Sequence, residues 1–242
     1  MKNFELGGGI VVQSLSLDEL LQEVESAWKS SRPYHICTVN PEIVVRAEQN
    51  QAFKAAVVAS DLRTIDGIGV ILAVMRRYIR KAERLTGVTI MAAVLDLARR
   101  QGGEVMIVGA EAVSRERAEA RMRAEGVKVR PGASPRVNET GEADTNLAKM
   151  LPKNGVVLVA LGTPKQELWI RHTIDNNGSP NLYVGVGGAI DYYSGVAPKP
   201  PSILCALGLE WLYRLVRHPR TRIPRLRNFM PRFLWRYVVV GK

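Results

Sequence analysis

Cysteine is nearly absent: Cys37 and Cys205 are the only two in 242 residues, and no CxxC pair occurs. Neither a disulfide framework nor a cysteine zinc site is indicated, and a reducing cytosolic compartment is expected. Other signatures are missing too. The three histidines (His35, His172, His218) are scattered, and there is no HExxH. No Asp-x-Asp pair is available to hold a divalent cation on a diphosphate. A GxxxxGK[ST] loop is lacking, which excludes a P-loop, and without GxSxG there is no nucleophile elbow. The glycines of "VGVGGAID" have the wrong spacing for a dinucleotide fingerprint. No uncharged apolar run reaches the ~18–20 residues of a membrane span. The amino terminus carries Glu5 and Asp18 where a signal peptide would need an apolar core. A soluble or peripheral protein is expected.

Acidic residues are missing from one region. From Trp211 to Lys242 there are eight arginines, one lysine and no Asp or Glu. That segment accounts for nine of the eleven net positive charges, so the first 210 residues are close to neutral. The basic tail therefore needs its own explanation.

What the chain does contain is an alternation of apolar runs and amphipathic segments. "GGGIVVQSL" reads as a strand, and "SLDELLQEVESAWKS" as a helix with Ser16 and Glu19 forming a capping box. "YHICTVN" is a strand ending at Asn40-Pro41, and "PEIVVRAEQNQAFKAAVVA" reads as one helix with Pro at its first position. "DLRTID" is extended and "GVILAVMRRYIRKA" helical. A helix over "TIMAAVLDLARRQG" is closed by Gly102. Then come the strand "EVMIVGA", the charged helix "SRERAEARMRAEG", the strand "VKVRPG", the strand "VVLVALG", the helix "TPKQELWIRHTIDNNG" and the strand "NLYVGVGGA". Such alternation implies an α/β, Rossmann-like layering: a mostly parallel sheet with helices on both faces. The composition breaks at "PKPPSI", which divides an α/β core over 1–200 from a basic helical appendage over 201–242.

In open α/β sheets ligands bind beyond the carboxyl ends of strands. Four such ends carry polar residues that a core does not require: Thr38 and Asn40; Asp66 in "TIDGIG"; Gly162 through Glu167; and the glycines with Asp191 in "VGVGGAIDYYSG". Singly, each reads as a cap or a turn. Four together favour a site. On these grounds alone Asp66 is either a turn acid or a chemically active carboxylate.

"TVNPE" (38–42), "DGIGV" (66–70), "RLTG" (84–87), "LGTPKQE" (161–167), "GVGGAIDYYSG" (185–195), "VAPKPP" and "LEWLYRL" (209–215) together resemble the WecG/TagA/CpsF glycosyltransferases, family 26, in order and over nearly the whole chain. The resemblance implies transfer of an N-acetylmannosamine-type sugar from a UDP donor to polyprenyl-diphosphate-linked N-acetylglucosamine, in teichoic acid or related surface-polymer synthesis. It further implies inversion at the anomeric centre, no metal and no cofactor beyond the UDP-sugar. The expected location is cytoplasmic, peripheral on the inner face of the cell membrane. One position departs: Thr89 stands where relatives often have Asp, which removes a charge and leaves the exact donor open.

Given that resemblance, Asp66 is the expected base for the acceptor hydroxyl, with Asp61 and Asp191 as competitors. Asp191 is assigned to sugar binding. Thr38 and Asn40 suit sugar hydroxyls and an acetamido group. Thr163, Lys165 and Gln166 stand at a helix start, where backbone N–H groups meet anionic oxygens. Arg84, Arg214, Arg217, Arg222 and Arg225 are expected at a diphosphate. The tail's arginines, interleaved with Phe229, Phe233, Trp235 and Tyr237, fit an interfacial membrane segment. Nucleic acid is the disfavoured partner, since the core carries no nucleic-acid motif. A basic nucleic-acid or anionic-lipid binding module without transferase activity is the rival class. A homo-oligomer is compatible with the sequence but nothing selects one.

Overall fold

The computed structural model describes residues 1–145 and 147–241. It opens with a hairpin, β1 (Lys2–Leu6) and β2 (Ile10–Ser14), turned by glycines of which Gly8 and Gly9 have φ of +81° and +80°. The sequence reading began its first strand at Gly7 and missed β1. Only Phe4 and Leu6 of that strand point inward, too few to register as an apolar run.

Helix α1 (Leu17–Lys29) begins at the expected capping box. Glu19 N–H donates to Ser16 Oγ, and Ser16 N–H donates to Glu19 Oε2. Strand β3 (Tyr34–Val39) is buried along its whole length, as a central parallel strand must be. Asn40 Oδ1 then accepts from the N–H groups of Glu42 and Ile43 and starts α2 (Pro41–Gln49). The single helix expected over 41–59 is in fact two. Asn50 adopts extended backbone (φ −138°, ψ 111°) and its Oδ1 caps α3 (Gln51–Val58) through the Phe53 N–H. Asn competes well for such a cap, which is why the break falls there.

The chain continues through β4 (Leu62–Ile65), α4 (Ile68–Tyr78), α5 (Gly87–Gln101), β5 (Glu104–Gly109), α6 (Ala112–Ala124), β6 (Lys128–Val129), β7 (Val156–Ala160), α7 (Lys165–Asn177), β8 (Leu182–Gly185) and α8 (Ala189–Tyr193). The "VKVRPG" strand shrinks to two residues at the sheet edge. Among the described residues the strands form one eight-stranded sheet in the order β1-β2-β4-β3-β8-β7-β5-β6, parallel except for β1. Helices α1, α5, α6 and α8 pack on one face and α2, α3, α4 and α7 on the other. Strands β3 and β8 are neighbours, yet the chain leaves β3 toward α2 on one face and β8 toward α8 on the other. This divergence opens a crevice at their carboxyl ends.

The tail folds back over that crevice as α9 (Ser202–Ala206), α10 (Glu210–Arg217) and α11 (Pro219–Phe233), closed by a wider helical turn over Leu234–Val239. Two of its aromatics are not surface anchors, which corrects the sequence reading. Phe233 and Tyr237 are 0% and 1% exposed, stack on each other and join the core beside α2 and α4. Gly69 makes this possible, since a Cβ there would lie 2.6 Å from Pro41 Cγ and 3.3 Å from the Phe233 ring. Arg232 and Arg236 bind Glu48 of α2, and Tyr237 OH donates to the same carboxylate. Part of the tail's charge thus serves to seat it. Trp235 and Val216 stay largely exposed. Among the described residues no helix is long and apolar enough to cross a membrane.

Candidate active site

A cleft of about 410 Å³ lies at the carboxyl ends of β3, β4, β7 and β8, under the tail helices. Its floor is polar. Thr38, at the end of β3, donates from Oγ1 to the Gly185 carbonyl of β8 and so spans the crevice. Asn40 lines the cleft while its Oδ1 caps α2. Its outer wall is apolar, built by Leu72 of α4, Trp211 of α10, and Leu226, Phe229 and Met230 of α11.

Asp66 follows β4 directly, and its N–H donates to the Val39 carbonyl, which fixes the loop against β3. Gly67 then takes φ +90°, a conformation that favours glycine, and α4 begins without a side-chain cap. Gly67, Ile68 and Gly69 of that first turn lie along the cleft lining. Burial pushes the Asp66 carboxyl up to about 6. The Arg214 and Arg84 guanidinium groups and the Gly67 N–H pull the other way, and the Glu210 carboxylate adds to the rise. Asp61 sits at the opposite end of β4, with its carboxylate bound by Arg32 at 2.6 Å and by the His35 N–H at 2.8 Å. It closes a strand start, far from the cleft lining.

Cations face Asp66 from the tail. Arg214 donates from Nε to Tyr192 OH at 2.7 Å and stacks on that ring. Arg225 binds the buried Glu42 of α2 at 2.6 Å. Arg222 makes no ion pair among the described residues. Its guanidinium holds its proton less firmly than usual, through burial first and then through Arg214 and Arg225 beside it. Of these three arginines only Arg225 is held in an ion pair, so positive charge from Arg214 and Arg222 remains at the cleft, suited to an anion. Arg84 is different: it donates to the Cys205 carbonyl and to Glu210 Oε1 at 3.2 Å, tying the loop before α5 to the tail.

After β7, Gly162 (φ +75°), Thr163 and a cis Pro164 lead into α7. Thr163 and Gln166 line the cleft. Lys165 is exposed and outside the lining. Asp191 also lies outside it, with its Oδ1 accepting from Ser114 Oγ of α6 at 2.7 Å. Arg217 is exposed and stacks on Tyr213. Nine of the sequence-derived site residues are thus brought together (Thr38, Asn40, Asp66, Arg84, Thr163, Gln166, Arg214, Arg222, Arg225), and Lys165, Asp191 and Arg217 are not. Thr89 exchanges a hydrogen bond with Thr86 at the start of α5 and lies outside the lining. Sequence reasoning did not pick out Glu42, Glu210 or Tyr192. The first two resemble ordinary helix acids in sequence, and only their pairing with arginines more than a hundred positions away gives them a role.

A carboxylate held near neutrality opposite an arginine cluster suits removal of a proton from a hydroxyl while negative charge leaves toward the cations. Among the described residues no three His, Cys, Asp or Glu side chains are grouped as metal ligands would be. The model of the glycosyl transferase WecG/TagA/CpsF family matches residues 6–241, which takes in the cleft, the sheet and the tail helices alike. The chain belongs to the WecG/TagA/CpsF family of glycosyl transferases.

Proposed function

We propose that the protein transfers N-acetylmannosamine, or a closely related sugar, from its UDP donor to polyprenyl-diphosphate-linked N-acetylglucosamine, with inversion and without a metal. Asp66 takes the proton of the acceptor hydroxyl as its oxygen bonds to the anomeric carbon. The bond from that carbon to the diphosphate breaks on the far side, and UDP departs with its charge met by arginines. The observation that carries this reading is the juxtaposition of Asp66, its pKa raised to about 6, with Arg214, Arg222 and Arg225. The apolar wall beside them supports a lipid-linked acceptor. The exposed Ile203, Leu207, Val216 and Trp235 of the tail, set among arginines, support a peripheral position on the inner face of the cell membrane. The product would serve teichoic acid or related surface-polymer synthesis.

Pure protein incubated with UDP-N-acetylmannosamine and a short-chain lipid diphosphate N-acetylglucosamine, in EDTA, should release UDP and form disaccharide. Absence of both products with this and other UDP-sugars would sink the proposal. Strong, salt-sensitive binding to polyanions without UDP affinity would favour a binding module instead.

A further inference from the structure

Glu167 is a buried carboxylate beside the cleft that the reaction does not use. It sits on the first turn of α7, 1% exposed, directly below Thr163 and Gln166. Its Oε1 accepts from Gln166 Nε2 at 2.7 Å and from Thr163 Oγ1 at 3.2 Å. Both donors belong to residues that line the cleft, whereas Glu167 itself is not part of the lining. Two polar atoms beside this contact are buried and lack hydrogen-bond partners among the described residues: Glu167 Oε2 and Gln166 Oε1. Leaving a buried acceptor unmade is costly, so a protein that keeps one near a ligand site reserves it for something.

The surrounding backbone accommodates this arrangement. A Cβ at Gly185 would lie 2.9 Å from Gln166 Nε2, so glycine there lets the amide lie under the end of β8. Gln166 Oε1 then faces Gly187, where a Cβ would be 3.8 Å away. An ionised carboxylate can only accept, so it selects the amide orientation in which NH2 points down and the carbonyl points toward the glycine loop. Burial raises the Glu167 carboxyl to about 7, and the Gln166 and Thr163 donors oppose that rise. Glu42 of α2 and Cys37 of β3 are the titratable neighbours coupled to it.

We propose that Glu167 is a positioning residue that fixes the Gln166 amide so that the cleft floor offers a carbonyl acceptor, not an N–H donor, to an N–H or O–H group of the sugar nucleotide. This rests on the reading of the cleft as the transfer site. Glu167 touches no substrate and acts through Gln166, with Thr163 held by the same oxygen.

A double-mutant cycle tests it. Gln166→Leu should lower kcat/KM for UDP-N-acetylmannosamine on the order of tenfold, mostly through KM. Glu167→Leu should cause a similar loss, and the double variant should be no worse than Gln166→Leu alone. Glu167→Gln, which keeps the volume and can both donate and accept, should fall between wild type and Glu167→Leu, and its loss should also vanish in the Gln166→Leu background. If Glu167→Leu fails to fold, the glutamine cycle decides. Multiplicative losses in folded variants would overturn the proposal, as would full activity of Glu167→Leu. The second readout needs no turnover. In wild type the Gln166 side-chain NH2, identified in NMR spectra by its disappearance in Gln166→Leu, should exchange slowly with solvent, and Glu167→Gln should speed that exchange. Equal exchange rates would overturn the positioning role. If wild type transfers no sugar, the functional reading fails, while the exchange result still judges Glu167.

Discussion

Replacing Asp66 by Asn should separate catalysis from stability in opposite directions. As the base, Asp66 contributes on the order of 10²–10⁴-fold to the rate, the usual range for a positioned proton acceptor. Its carboxyl titrates near 6, so kcat/KM of the wild type should fall tenfold per pH unit below about 6 and level off above it. The same shift costs the folded state stability. Asp66 rises from 3.8 to about 6, so the folded protein holds that proton more tightly than the unfolded chain. Stability from this group is therefore greatest below pH 4, falls as pH rises from 4 to 6, and stays lost above. At roughly 1.4 kcal/mol per pKa unit the loss is no more than ~3 kcal/mol, and less in practice because the carboxyl partly faces solvent. Asp66→Asn removes the penalty. Thermal unfolding should show the variant more stable than wild type at pH 8, with the gap closing toward pH 4, while transfer drops at least a hundredfold. Asp61→Asn gives the contrast. It weakens the contacts to Arg32 and the His35 N–H, so it should lower stability by ~1 kcal/mol and leave the acid limb of the rate profile unchanged. An Asp66→Asn enzyme that keeps a tenth of wild-type activity, or a wild-type rate flat from pH 5 to 7, would refute the base assignment.

Three further outcomes follow from the packing. Arg222 makes no ion pair among the described residues and is pressed by two other arginines, so Arg222→Gln should leave unfolding unchanged or slightly improved and raise the KM of a diphosphate substrate about tenfold or more; unchanged steady-state kinetics would show that the anion sits elsewhere. Gly185→Ala pushes a methyl to 2.9 Å from Gln166 Nε2, the far end of a mobile side chain, so the fold should survive while kcat/KM falls, by a factor that Gln166→Leu would erase. Val216→Ser with Trp235→Ser should reduce co-sedimentation with anionic liposomes and leave thermal stability within ~0.5 kcal/mol, since both side chains are 64–73% exposed; unaltered liposome binding would place the membrane contact on another surface.

The legible part of this molecule was whatever local chemistry determines. Ser16 with Glu19, Asn40 before Pro41 and Gly102 after a helical run each dictate a helix end through their own side chain or φ, and the structure has all three. Strand ends could be located, and so the loops bearing Thr38, Asp66 and Gln166. Long-range pairing was not legible. The tail's composition was read as a surface for lipid, yet Phe233 and Tyr237 are core residues, the first packing where Gly69 leaves room and the second where Gly7 does. Likewise the Oδ1 of Asp191 is engaged by Ser114 of α6, a partner the sequence did not suggest, while a Cβ at Gly188 of the cleft lining would lie 3.6 Å from its Oδ2. Glu42 and Glu48, six residues apart on one helix, show what local reading misses most. Glu42 is buried and is paired by Arg46 of α2 as well as by Arg225 of the tail, while the half-buried Glu48 is paired by Arg232 and Arg236 of the tail. The tail therefore completes the near-neutral body in two senses: it adds cations to Glu42 and Glu48 of α2, and it brings Arg222 and Arg214 to the cleft that Asp66 lines. A tail that detached would leave Glu42 with Arg46 alone, Glu48 without Arg232 and Arg236, the space of Phe233 and Tyr237 empty, and the cleft without Arg214, Arg222 and Arg225. Under the proposed transfer mechanism, the association of the tail with the core is for that reason a condition of the chemistry, not an accessory to it.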